Sequence, residues 1–144
     1  MKLNIISFDW KKIQKDKVIS VTLMTKAWEI TILDKHTPLI TSVKPSTMYY
    51  VYLDENNMKI RDDLAIWNWV VEVSNSQVKL MIDMLVDIED LDVDELHRAK
   101  LEAEKLMAEM KKDNKDKIDM EKFIEAEDQL LKSIAWLKLY EIKK

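Results

Sequence analysis

Glycine is absent from all 144 residues, where average usage would supply roughly ten. Its absence excludes both usual Gly-rich phosphate cradles, the P-loop and the Rossmann turn. It also deprives tight β-turns of the one residue that takes positive φ without penalty. Cysteine is absent too, so disulfides, thiol catalysis and Cys-ligated metal are ruled out. The only histidines, His36 and His97, lie far apart in sequence without zinc-ligand spacing. No run of 18 apolar residues occurs, so no membrane span is expected. Met1-Lys2-Leu3-Asn4 has no signal-peptide core, which points to the cytoplasm. A net charge of −4 lacks the basic excess of a general nucleic-acid binder.

The residues present divide in two. Residues 1–87 carry 11 basic and 11 acidic side chains, and residues 88–144 carry 12 basic and 16 acidic. All the net charge therefore lies in the second part, which sets a boundary near residues 86–89. The first part holds short β signals at 3–7, 18–24, 30–33, 39–43, 47–53, 58–61, 64–67, 70–73 and 77–82. Strict alternation in 18–24 would place Ile19, Val21 and Leu23 on one face. Turns are expected at Asp54-Glu55-Asn56-Asn57 and Ser74-Asn75-Ser76, and a solvated hairpin at 11–17, bracketed by Asp9 and Asp16. Many short strands at close spacing predict a β-sandwich.

From residue 90 onward the period becomes helical. Leu96, Ala99, Ala103, Leu106, Met107 and Met110 form one stripe. Asp92 is the expected N-cap, with Glu95 as its capping-box partner, and Lys111-Lys112 suit the helix's negative end. After a charged turn at 113–117, a second stripe carries Met120, Phe123, Ile124, Leu130, Leu131, Ile134 and Leu137. The expected class is α+β: an N-terminal antiparallel β-sandwich at 1–87, then a C-terminal two-helix antiparallel hairpin at 88–144.

No catalytic constellation emerges. His36 reads as a hydrogen-bonding turn residue and His97 as a solvated helix residue. The pairs Asp62-Asp63, Glu89-Asp90 and Asp94-Glu95 read as solvation or capping rather than as a general acid and base. No catalytic residue, cofactor or metal is assigned.

Residues 30–45 contain Ile-Leu-Asp-Lys-His-Thr-Pro-Leu-Ile-Thr and then Lys44-Pro45. The segment resembles the epsilon subunit of F-type ATP synthases, which writes this corner as Pro-Gly-His-Ala-Pro-Leu-hydrophobic-Thr and follows it with Lys-Pro-Gly. Val70-Val71-Glu72-Val73, Asp90-Leu91-Asp92 and Ala135-Trp136-Leu137-Lys138-Leu139 resemble later anchors of that family, in the same order. The resemblance covers nearly the whole chain.

It implies a non-catalytic rotor subunit, peripheral on the cytoplasmic face of the cell membrane, coupling the gamma subunit to the c-subunit ring. By alignment Ser7 and Thr41 would face gamma, while Glu29 and His36 would lie on the ring side. The hairpin would regulate ATP hydrolysis by lying on the sandwich or extending into the alpha/beta catalytic head. Some family members bind ATP at the hairpin; here Glu95 and Leu96 stand at that motif's Arg and Ala places. A carboxylate facing a triphosphate is repulsive, so no ATP binding is expected. A different class stays open: a repurposed sandwich adaptor whose helical tail docks a partner protein.

Trp28 and Trp69 stand where the family writes glycine. Either these are true tryptophans at tolerant surface turns, or they are glycines whose reassigned stop codon was read under the wrong code.

Overall fold

β-Branched and aromatic residues alternate with polar ones along the first 82 residues, and this period of two builds the strands. The computed structural model describes every residue except 68, 84, 87–90, 114–119 and 144. The expected boundary at 87/88, the pair Glu89-Asp90 and positions 114–117 of the charged turn lie outside the described residues.

One sheet has five strands, ordered β2 (Lys12–Lys15), β1 (Lys2–Ser7), β9 (Gln77–Ile82), β8 (Trp69–Ser74) and β5 (Leu39–Val43). The other has four, ordered β4 (Glu29–Leu33), β3 (Val18–Met24), β6 (Ser46–Leu53) and β7 (Lys59–Ile66). Within these sheets β1 and β9 run parallel, and the other pairs are antiparallel. The inner faces meet in one core, with Leu3, Ile5, Val71 and Leu80 from the first sheet. Val21, Leu23, Ile32, Met48 and Tyr50 supply the second.

Two strand expectations change. The register of β3 against β6 slips between Val18 and Ser20. An extra unpaired residue reverses the side-chain phase, so Val18 is buried with Val21 and Leu23, while Ile19 is only half-buried. Segments 58–61 and 64–67 prove to be parts of one strand, β7, running unbroken through Asp62 and Asp63. Both acids are tolerated there because each has a partner. The Tyr50 hydroxyl donates to Asp62 Oδ2 at 3.0 Å, and Arg61 forks onto Asp63 at 2.7 and 3.0 Å.

The turns show what fills the place of glycine. Asn75 and Ser76 both take positive φ, 49° and 56°, in the two-residue β8–β9 loop, as a type I′ turn requires. Asn57 does so at 58°, while Asp54 Oδ1 accepts from the backbone N–H of Asn56 and Met58. Lys35, aligned with the Gly of Pro-Gly-His, takes φ 62°.

The helices are α1 (Val93–Asp113) and α2 (Met120–Lys143). Asp92 caps α1, its Oδ1 accepting from the N–H groups of Asp94 and Glu95 at 3.0 and 3.1 Å. α1 packs on α2, and α2 lies over β6 and β7. The buried line of α2 is Ala126, Ser133, Ala135, Leu137 and Leu139. Of the expected stripe, Met120, Ile124 and Ile134 are instead exposed. A helix packed between two partners buries two lines, so a single stripe describes it poorly.

Candidate functional site

No chemistry-bearing cluster forms among the described residues. Among the described residues no three His, Cys, Asp or Glu side chains converge as a metal site. Asp62 and Asp63 are neighbours in a strand, so they point to opposite faces of the sheet and cannot share a substrate.

The residues expected on the ring side, Glu29 and His36, bracket an edge strand. Glu29 opens β4 and is exposed, while His36 lies in the turn beyond the other end of β4. The two are not brought together. Nδ1 of His36 lies 2.8 Å from the Thr37 carbonyl, and the His36 N–H donates to the Leu33 carbonyl at 3.1 Å, closing the turn. Nearby, a hydrogen bond with Ser76 holds the Asp34 carboxyl below its usual range; desolvation opposes this and the N-terminal ammonium assists. Trp28, just before Glu29, is 69% exposed. The Thr25 hydroxyl organises that corner, accepting from the Ala27 and Trp28 N–H groups and donating to the Trp28 carbonyl at 2.7 Å.

Of the residues expected to face gamma, Ser7 is buried and Thr41 half-buried. Ser7 is 3% exposed, and its Oγ lies within hydrogen-bonding reach of the Asp9 carboxylate and of the Lys11 carbonyl. Thr41 is half-buried opposite Val71. Because β9 and β8 separate their strands, the two are roughly 14 Å apart across the sheet. The neighbouring residues reach solvent instead: Phe8 is 62% exposed and Ile40 is 72% exposed.

The outer face of the five-stranded sheet carries one cross-strand row of Ile6, Met81, Val70 and Ser42. A second row sets Ile40 beside Glu72 and Lys79. Ile6, Met81 and Val70 are half-buried. The hairpin lies against the other sheet, over β6 and β7, and its helix α2 also reaches one end of the first row, where Ile124 and Leu131 line a cavity with Ser42 and Val70.

That other sheet meets α2 in a mixed seam. Lys132 Nζ lies 4.0 Å from the centre of the Trp67 ring and 4.4 Å from that of Trp136. Burial pushes the Lys132 ammonium below its usual pKa while Asp83 pulls it back up. Burial raises the Asp83 carboxyl in turn, with Lys132 opposing. Further along, Arg61 stacks on Tyr49 at 3.8 Å and grips Asp63, in a cleft shared with Glu29 and with Lys138 of α2. Reading residue by residue missed this Trp67–Lys132–Trp136 arrangement. Half its signal was local, since Lys132 and Trp136 are one helical turn apart; the Trp67 half is long-range.

The place expected to be degenerate for nucleotide is a cavity of about 220 Å³. Asp92, Glu95, Leu96 and Ala99 line it from the α1 side, and Lys132, Ser133 and Trp136 from α2. Asp92 is engaged as the N-cap, and Glu95 brings a second carboxylate to the same wall.

Comparison with known proteins agrees with this architecture. The family described as "ATP synthase, Delta/Epsilon chain, beta-sandwich domain" matches residues 1–87. The ATP synthase epsilon chain of Xanthomonas campestris pv. campestris (strain B100) is 30% identical over 113 residues, covering 78% of this chain and 73% of that one. That of Xanthomonas euvesicatoria pv. vesicatoria (strain 85-10) is 31% identical over 108 residues, covering 75% and 74%. Among solved structures, a chain of the Euglena gracilis mitochondrial ATP synthase (OSCP/F1/c-ring) superposes with a TM-score of 0.68 at 21% identity, covering 98% of this chain and 79% of that one. A chain of the Tetrahymena thermophila mitochondrial ATP synthase central stalk and c-ring gives 0.65 at 13% identity, covering 97% and 96%. Sequence match, sandwich and paired helices converge: the chain belongs to the ATP synthase delta/epsilon family, as a non-catalytic epsilon-type subunit of the F-type enzyme.

Proposed function

We propose that this chain works in the central rotor, joining the gamma subunit to the c-subunit ring and passing torque between them. The observation that carries this reading is the division of labour between the two sheets. The helices pack over β6 and β7 of one, and the other carries half-buried Ile6 and Met81 in an apolar row, with Ile40 and Phe8 exposed beside it. Gamma would seat on that row, with Ser7 and Thr41 supporting the contact from beneath. The ring loops would run along edge strand β4 between Glu29 and His36. A sandwich with two apolar inner faces is stiff and transmits load through its outer faces.

The sandwich (1–87) and the hairpin (88–144) act as separate domains in this reading, and the hairpin regulates hydrolysis by reaching the alpha/beta head. The complex holds the chain peripherally on the cytoplasmic face of the cell membrane. No helix among the described residues is long and apolar enough to cross a membrane.

Co-purification of the tagged full chain with gamma and the ring tests the proposal. Ile40→Asp, at an exposed position, is expected to release gamma while leaving the chain folded. A chain that purifies without gamma or ring overturns the rotor reading and favours the adaptor.

A further inference from the structure

The hairpin is joined to the sandwich along one helix. α1 packs on α2, with Ala103 and Ala126 buried, while α2 lies across β6 and β7. Helical spacing sorts α2 into two lines. Ala126, Ser133 and Leu137 share one face, and Lys132, Ala135, Trp136 and Leu139 share another. Ala126 and Ser133 of the first line border α1, and Lys132 and Trp136 of the second stand at the junction where α1, α2 and Trp67 of the sandwich meet.

The second line is mostly apolar, with one charge in it. Lys132 brings its ammonium between the rings of Trp67 and Trp136, whose centroids are 6.3 Å apart and whose planes cross at 53°. Trp67 directly follows the buried Ile66 at the end of β7, and Asp83 directly follows the buried Ile82 at the end of β9. The sandwich thus offers one ring and one carboxylate, and α2 offers the ammonium and the second ring. An ammonium over an indole is attracted by the negative face of the ring. Against this stands the desolvation that displaces both Lys132 and Asp83 toward their neutral forms. The two effects oppose each other, so the contact orders the seam without locking it.

We infer that Lys132, held between Trp67 and Trp136, is the clasp of the helical hairpin, and that its release frees α1 and α2 from the sandwich as one paired unit. The inference rests on the reading of the hairpin as the regulatory element. It adds the residue that sets how often the hairpin leaves.

The chain has no cysteine, so single thiols report opening cleanly. Ala135→Cys probes the seam between α2 and the sandwich, and Ala103→Cys probes the seam between the helices. In the full chain, Lys132→Gln and Trp67→Leu are each expected to raise the labelling rate of the Ala135→Cys thiol about tenfold, equivalent to about 1.4 kcal/mol. The Ala103→Cys thiol stays slow, and Lys132→Arg, which still stacks on indoles, labels like the parent. An unchanged rate at position 135 overturns the clasp, and so does Lys132→Arg opening as readily as Lys132→Gln. Equal acceleration at both positions overturns release as a unit. Labelling uses the isolated chain, so its outcome is independent of gamma binding. Faster labelling without altered ATP hydrolysis in the assembled complex keeps the clasp and removes the regulatory role.

Discussion

Tyr50 and Asp62 face each other across β6 and β7, and the phenol donates to the carboxylate at 3.0 Å. Burial, then the charge of Asp62 and the hydrogen bond to it, raise the Tyr50 pKa well above its ordinary 10.0. A raised folded-state pKa gives stability that is complete below the unfolded value and is lost as pH climbs toward the folded one. Urea unfolding is therefore expected to show falling stability above about pH 10. Tyr50→Phe should cost about 1–2 kcal/mol at pH 7 and should flatten that alkaline decline. An equally steep decline in the variant would show that other groups cause it.

Trp10 takes φ 66° and is 87% exposed. A side chain with Cβ is strained in that region, and exposure returns little burial in exchange. Trp10→Gly is expected to stabilise the chain by about 0.5–1 kcal/mol in urea unfolding. Trp28 does not take positive φ, so Trp28→Gly should bring no such gain. Intact mass of protein from the native source separates tryptophan from miscoded glycine at these positions.

Arg61 grips Asp63 with two nitrogens while stacking on Tyr49. The carboxylate is buried and the guanidinium half-exposed. A double-mutant cycle of Arg61→Ala with Asp63→Ala should return a coupling of about 1 kcal/mol. Asp63→Ala alone should disturb the fold less than Arg61→Ala, which leaves a buried carboxylate unpaired.

Asp92 satisfies two N–H groups of the first turn of α1. Asp92→Ala should lower stability by about 1 kcal/mol, visible as faster amide exchange at Asp94 and Glu95 with β1 and β9 unchanged. Asp92→Asn, which keeps the acceptor oxygen, should recover most of it.

Local pattern made much of this molecule legible. The bounds of strands 18–24, 39–43 and 77–82 were readable because turn chemistry and β-propensity are nearest-neighbour properties. Asp92 could be named as a cap from its position three residues before Glu95. The bulge after Val18 could not, since it exists only in the pairing of β3 with β6. The unbroken β7 was hidden because Asp62-Asp63 looks like a turn until Tyr50 and Arg61 supply partners.

Sequence alone determined the class of fold and the order of its elements, because these follow from periodicity and residue inventory. Tertiary structure decided which sheet the helices cover, that Ser7 lies under the surface, and that Lys132 meets Trp67. These depend on contacts between residues tens of positions apart, whose closeness is set by the packing of whole faces.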